Sequence, residues 1–516
     1  MFFVGINDGN VPKKADSRSV LSESDREYLE DKGIVMSASV REKAFTQRFY
    51  LYLIMTKSAE KLYMSYAVKN SEGAALMPSY IIRSMRKMFS HCLKLSYKDT
   101  AQQNSYVTIP RAASSFDNTE IAANVDEDII DSLTGGRLVG SVTSFENFAE
   151  CPLRYYLRYG VDLKEREEFT FSPVNFGVVL HAVIREVCDE IKKNGESYYL
   201  ISEEKRREMV KRSVAAITDI YQNSILKDSS RNSFMIKRME DLADRTVWAM
   251  GEQLKCGDFV PFVFEHKFNM EVGDGDRKQL MSGTIDRVDI CENGTDVYVR
   301  IIDYKTGKKD FNIVKTYYGI DIQLMVYMEA AMKLVAKMRP GKNVIPAGVF
   351  YYNISDPIVS ATTESAEEIE DKIKGELRLK GMVNSDKDIA EKMDNTEGTS
   401  LNIPVSRKAD GGFDSRRSKV MNTEQFNMLG RFVDVRAIDT ADRIAGGDIR
   451  RSPYKDGQFS SCDRCPYGAV CGFSVDLPGC NYRKLKKFDD EVLWNNIKEG
   501  VDENGKKMDT GAEERD

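Results

Sequence analysis

Two runs rich in β-branched and aromatic residues, Leu280–Ile290 and Val297–Tyr304, flank the turn Glu292-Asn293-Gly294. No other feature constrains the fold as much, because strand-forming runs on either side of an Asn-Gly turn predict an antiparallel hairpin. A strand is predicted before it, over Phe262–Met270, and a helix over Ile320–Lys337 followed by a strand over Val344–Asn353 comes after it. A helix crossing between strands marks an α/β sheet. Upstream, aromatic spacing predicts helices over Phe145–Tyr159 and Phe176–Lys193, and charged helices fill about 201–256.

At roughly 150 residues per domain, 516 residues predict about three units. The first covers 1–90, with an apolar strand Phe2–Ile6, helices around Ser24–Lys32 and Arg41–Lys57, and a second strand Leu62–Tyr66. A strand at the first residue has no earlier partner, so the segment reads as part of a larger domain. Residues 91–140 are expected to be a connector, 141–486 the main domain, and 487–516 a polar, disordered tail. The net charge of −6 gives no global basic signal, although a local nucleic-acid site remains open. No run reaches the ~18 apolar residues of a spanning helix. With no signal-peptide pattern at the N-terminus, a cytoplasmic location is expected. The stripe Lys205, Arg206, Arg207, Lys211 and Arg212 is interspersed with Glu203, Glu204 and Glu208 and reads as a solvated face. Arg407, Lys408, Arg416, Arg417 and Lys419 are expected to contact phosphate.

Within the hairpin, Asp303 and Lys305 are two apart, so in a strand they share a face while Tyr304 points to the other. Asp286 approaches from the neighbouring strand and His181 from the preceding helix. Two carboxylates, the backbone carbonyl of Tyr304 and an imidazole would suit Mg²⁺ or Mn²⁺, which keep several waters and share their remaining positions with phosphate. A lysine beside such a site orients or helps deprotonate an attacking water and stabilises charge on a phosphodiester. Alone, Asp-x-Lys reads more readily as a surface ion pair worth under ~1 kcal/mol. Separately, Cys462, Cys465 and Cys471 form C-x2-C-x5-C in a loop-like setting, a spacing at which three thiolates converge on zinc or an iron–sulfur cluster and want a fourth ligand.

The longer string settles which family these residues resemble. Gly283-Thr-Ile-Asp286-Arg-Val-Asp289, then Ile302-Asp303-Tyr304-Lys305-Thr306-Gly307, then Gln323-Leu-Met-Val-Tyr327, together with Gly177-Val-Val-Leu-His181, resembles the RecB-like branch of the PD-(D/E)XK nuclease superfamily. The resemblance implies an α/β fold with a mixed central sheet flanked by helices. It implies His181, Asp286 and Asp303 as metal ligands, Lys305 as the catalytic lysine, and Gln323 and Tyr327 as residues that position the backbone; Glu265 falls where many members carry a further acid. Some members close the domain with a [4Fe–4S] cluster, which implies Cys151 as the partner of Cys462, Cys465 and Cys471, with zinc the chemical alternative.

The first 90 residues, through Val4-Gly-Ile-Asn-Asp-Gly9, Thr56-Lys57-Ser-Ala59 and Leu62-Tyr-Met-Ser-Tyr66, resemble the final part of the second motor domain of UvrD-like helicases. The combination is similar to the C-terminal part of the AddB family. That implies DNA as substrate, an AddA-type helicase–nuclease subunit as heterodimer partner, and a role in double-strand-break end processing and recombination. Lys57 stands where active motors carry arginine, and Gly500–Lys507 is a poor match to a phosphate loop, so ATP hydrolysis is not expected. Two alternatives remain: a nuclease-inactive DNA-end-binding scaffold, and a stand-alone RecB-like nuclease similar to those of CRISPR adaptation.

Overall fold

The structure is a computed structural model that describes residues 1–13, 22–34, 37–69, 75–89, 124–126, 128–130, 139–164, 173–220, 230–272, 279–359, 365–475 and 480–513. The chain divides into two compact units, Met1–Ile121 with Phe473–Asn481, and Ala122–Gly472 with Tyr482–Asp516. The expected connector 91–140 lies largely outside the described residues.

The smaller unit holds β1 (Phe2–Phe3), α1 (Glu23–Asp31), α2 (Val40–Thr56), β2 (Tyr63–Met64) and α3 (Tyr80–Met88). Strands β1 and β2 pair in parallel, Phe2 opposite Tyr63. The first strand is shorter than expected because Gly5 takes φ 73, a left-handed conformation that ends the extended run. Capping boxes at Ser22/Asp25 and Ser39/Glu42 start α1 and α2, each satisfying donors that the helix itself leaves unpaired.

The larger unit begins with β3 (Val139–Ser141) and α4 (Val142–Glu150). Cys151-Pro152 interrupts the expected 145–159 helix, and α5 (Pro152–Tyr155) continues into a π turn at Tyr156–Gly160. Proline at a helix start fits there because its missing N–H is not needed. Three long helices follow: α6 (Pro173–Lys193), α7 (Glu203–Ile220) and α8 (Ser230–Lys255). The basic stripe on α7 is a solvated face at Lys205, Arg207 and Arg212, which pair with Glu196, Glu203 and Glu190, whereas Arg206 turns inward to Asp244 on α8.

Then come β4 (Val260–Val272), β5 (Gln279–Asn293), β6 (Asp296–Lys305), α9 (Ile313–Tyr317), α10 (Gln323–Met338) and β7 (Asn343–Asn353). The hairpin is tighter than expected, with Asn293 opposite Asp296 and Gly294 at φ 61 opening a two-residue turn. After α11 (Ala366–Glu376), β8 (Lys380–Asn384), α12 (Lys387–Met393) and β9 (Val420–Met421), the long α13 (Thr423–Ala445) leads to a small sheet. That sheet comprises β10 (Tyr454–Asp456), β11 (Phe459–Ser460) and β12 (Arg483–Lys484), with α14 (Gly468–Cys471) before its last strand and α15 (Asp490–Glu513) after it.

The main sheet runs β3-β5-β6-β7-β8-β9, with β4 also on β5. It is mixed: β5–β6 is antiparallel, and β6–β7, bridged by α10, is parallel. Strand β6 is central, and its alternation divides the core. Tyr298, Ile302 and Tyr304 pack with α6, α7 and α8, whereas Val297, Val299 and Ile301 pack with α10 and α13. Inside the sheet lies a charged knot. Asp289 accepts from Arg287 at 2.7 and 2.6 Å and from Arg300 at 2.8 Å, all three being almost wholly buried. Burial alone would push the Asp289 carboxyl up, but the two guanidiniums hold it below the usual range.

The polar tail expected over 487–516 is corrected by α15. Leu493 and Ile497 are buried against the α13 side of the core, with Trp494 and Val501 packed beside them. These residues repeat at helical spacing, and that periodicity outweighs the charged composition around it. Gly500 allows close packing, since a Cβ there would lie 2.8 Å from Phe432, and Gly500–Lys507 belongs to this helix and not to a phosphate loop.

Removing one partner of a buried ion pair strands the others. Asp289→Ala is therefore expected to lower the unfolding free energy by about 3–5 kcal/mol, read by chemical denaturation.

Candidate active site

The β5–β6 ladder stops at Arg287 opposite Ile302. One residue further, the ladder has ended, and Asp286 and Asp303, both buried, lie at its open end. The Tyr304 N–H, released from the ladder, donates to Asp286 Oδ2 at 2.7 Å, which satisfies a buried donor and fixes the carboxylate.

His181 from α6 and Glu265 from β4 approach the same carboxylate. His181 Nδ1 lies 3.4 Å from Asp286 Oδ1 and 3.8 Å from Glu265 Oε1. Glu265 has φ 46, a left-handed conformation rare for a residue with a Cβ. Strain of this kind costs about 1–3 kcal/mol and collects where a side chain must be aimed. One ligand atom from each of His181, Glu265 and Asp286 falls within 4.8 Å of the others, close enough for a single ion. Two carboxylates and an imidazole fit a divalent cation such as Mg²⁺ or Mn²⁺. Burial pushes His181 down, but Asp286 and Glu265 outweigh it and raise the imidazole to about 10. The pocket therefore attracts positive charge.

Asp303 stands outside that three-residue group. Its Oδ2 is 2.5 Å from Lys305 Nζ and its Oδ1 accepts from Gln323 Nε2 at 3.2 Å. Burial, reinforced by Asp286 and opposed by Lys305, raises its carboxyl to about 6. Gln323 Nε2 also donates to the Tyr327 hydroxyl at 2.9 Å. The expected sharing of a face by Asp303 and Lys305 is what the strand shows, with Gln323 on that same side. Tyr304 turns its ring to the other face, edge-on to His181 at 6.0 Å. Gly283 has a steric reason: a Cβ there would lie 2.6 Å from the Phe268 ring and 3.0 Å from that of Tyr327.

Sequence reading missed the layer beneath. Asp321 is buried beside Asp303's neighbourhood, with Glu146 and Lys309 partly buried next to it: Lys309 Nζ lies 3.0 Å from Asp321 Oδ1, which accepts from the Tyr351 hydroxyl at 2.7 Å. Burial raises the Glu146 carboxyl to about 7, with Lys309 opposing. The available signal was an acid at the centre of the apolar helix Val142–Glu150, beside Phe145 and Phe148.

None of the eight described cysteines forms a disulfide. The Cys462 thiol is raised to about 11, chiefly by burial, with the sulfurs of Cys151, Cys465 and Cys471 also acting on it. These four residues share one neighbourhood at the end of α4 and around α14. The expected phosphate loop is corrected at Arg407, while Lys419 stays at the surface beside an acid. Arg407 spends its guanidinium on the carbonyls of Thr396, Ala390 and Asp394, closing the end of α12, and Lys419 pairs with Asp310. Main-chain carbonyls left open at a helix end recruit the nearest long cation.

Residues 140–472 match the PD-(D/E)XK nuclease superfamily. The chain is 30% identical to the B subunit of the ATP-dependent helicase/deoxyribonuclease of Clostridium acetobutylicum, over 98% of this chain and 48% of that protein. It is 31% identical to the protein of the same name from Lachnoclostridium phytofermentans, over 100% of this chain and 48% of the relative. The counterpart from Caldanaerobacter subterraneus subsp. tengcongensis is 30% identical, over 100% and 49%. The chain thus spans about half the length of the curated relatives it matches. No described helix is long and apolar enough to cross a membrane.

If His181, Glu265 and Asp286 hold a divalent ion, Mg²⁺ or Mn²⁺ at about 100 times its dissociation constant should add about 2.7 kcal/mol to the unfolding free energy. Asp286→Ala should remove that gain, and denaturation with and without metal checks both.

Proposed function

The chain belongs to the PD-(D/E)XK nuclease superfamily, and on that premise we propose that it is a divalent-metal-dependent deoxyribonuclease that hydrolyses phosphodiester bonds in one DNA strand. The observation that carries the reading is the end of the β5–β6 ladder, beyond which Asp286 lies with His181 and Glu265 and Asp303 lies with Lys305. A bound Mg²⁺ or Mn²⁺ supplies Lewis-acid activation of water and neutralises charge on the phosphate.

The protein's own groups do the rest. His181, Glu265 and Asp286 hold the ion, and Asp303 and the Tyr304 carbonyl are further ligands on this reading. Lys305 lies next to Asp303 and is 27% exposed, so it can meet a phosphate oxygen or the attacking water while its charge stays paired. Gln323 fixes the Asp303 carboxylate from the side opposite Lys305, and Tyr327 in turn holds Gln323. Preorganised polar groups of this kind lower the barrier because they need not reorganise as charge develops.

Cys151, Cys462, Cys465 and Cys471 are proposed to bind a [4Fe–4S] cluster. Support comes from the spacing and from Cys462, whose thiol is raised by burial while the sulfurs of Cys151, Cys465 and Cys471 also act on it; metal binding would favour its thiolate instead. Four thiolates leave no position for substrate, so the role is structural. The likeness to the B subunits of helicase/deoxyribonucleases supports DNA-end processing in recombinational repair beside an AddA-type helicase–nuclease subunit, with residues 1–90 similar to part of a motor domain.

Asp303→Ala and Lys305→Ala are expected to lower metal-dependent cleavage of labelled single-stranded DNA by about 100-fold or more; unchanged cleavage in either would refute the assignment. DNA binding without cleavage by the unaltered protein would favour the scaffold role instead. Anaerobically purified protein should contain iron and sulfide, and Cys465→Ala should lose both along with thermal stability; zinc in place of iron would replace the cluster with a tetrahedral ion.

A further inference from the structure

Helix α10 carries Gln323 and Tyr327 to Asp303, yet it begins without a cap of its own. Its N-cap residue is Ile322, which has no side-chain acceptor for the first N–H groups. A helix start leaves such donors unpaired, and a buried one costs stability unless an acceptor comes from elsewhere. Here it comes from α4, far away in the sequence: Glu146 Oε1 accepts from the Ile322 N–H at 2.9 Å and from the Gln323 N–H at 3.0 Å. The residue just before is pinned as well, because the Asp321 carboxylate is held by Lys309 and Tyr351 and its carbonyl accepts from the Thr316 hydroxyl at 2.8 Å.

The second of the two N–H groups belongs to Gln323 itself. The backbone of the residue that touches Asp303 is therefore fixed by one carboxylate while its side chain fixes another. We propose that Glu146 is a positioning residue of the active site, a cap borrowed from α4 that locks the first turn of α10 so that Gln323 Nε2 sits between Asp303 Oδ1 and the Tyr327 hydroxyl. The cap works as a hydrogen-bond acceptor for both N–H groups. Glu146 touches neither Asp303 nor any of the proposed metal ligands in the described contacts; it acts through Gln323. The contact stands independently of the proposed nuclease activity, and only its catalytic consequence rests on that reading.

The test uses the full chain with Glu146→Ala, which removes the acceptor, and Glu146→Gln, which keeps an amide oxygen in its place. Hydrogen exchange comes first: Glu146→Ala should speed exchange of the Ile322 and Gln323 amides roughly tenfold or more, with β7 and α6 unchanged, and Glu146→Gln should restore most of the protection. In cleavage assays Glu146→Ala should lower kcat by roughly 10- to 100-fold with KM for DNA little changed. Gln323→Ala should lose a similar factor, and the double variant should be no worse than Gln323→Ala alone, because both act through one interaction. Unaltered exchange at 322 and 323, exchange that rises equally across α6 and β7, or kcat losses that multiply in the double variant would each overturn the proposal. Absence of cleavage by the unaltered protein would instead count against the nuclease reading, and the exchange experiment would still decide the cap.

Discussion

The charged knot of Arg287, Asp289 and Arg300 fixes the register on which the cleft depends. In a strand pair, a slip of one residue moves every side chain to the opposite face. Asp289 on β5 is bound by Arg300 directly across the ladder and by Arg287 on its own strand, so a slipped pairing would leave buried charges unmatched. With that register held, the last pair is Arg287 with Ile302, and Asp286 and Asp303 lie just beyond it. The acid inside the sheet and the acid at the cleft are three residues apart, and they differ only in their neighbours. Asp289 faces two guanidiniums. Asp286 faces a histidine and two other carboxyl groups.

That difference gives the site its chemistry. Around Asp286 the carboxylates raise the His181 imidazole against the effect of burial, and burial, reinforced by Asp286, raises the Asp303 carboxyl above its ordinary value. Lys305 and Lys309 balance part of the field, and both lie over the Tyr351 ring, which orders them. A site with unmet negative charge, rigid carboxylates and water access at one edge is suited to a small hard cation. Its rigidity comes from behind: α4 supplies Glu146 to the start of α10 and ends at Cys151, so one short helix serves both the cleft and the cysteine neighbourhood. Its end is also held by Arg483, which donates to the Ala149 carbonyl, and the following α5 is held by the Leu153 N–H donating to the Arg450 carbonyl.

The sequence by itself determined the hairpin, the central strand and the helix that crosses from β6 to β7, because alternation, an Asn-Gly turn and helical spacing are local signals that survive folding unchanged. It also determined that Asp303 and Lys305 share a face, which follows from the period of a strand. Other features were decided only by tertiary structure. The resemblance already pointed to Glu265 as a further acid, but its grouping with His181 and Asp286 comes through a left-handed backbone that no pattern announces. Asp303 leans to Lys305 and Gln323, Arg407 turns inward to close a helix, and the charged segment after 487 forms a helix because Leu493 and Ile497 find a core to join. Glu146, an acid in an apolar helix, acquires its role from an N–H pair 176 and 177 residues away. Local periodicity is written in neighbouring residues, whereas the partner of a buried charge is chosen by which remote backbone or side chain arrives beside it.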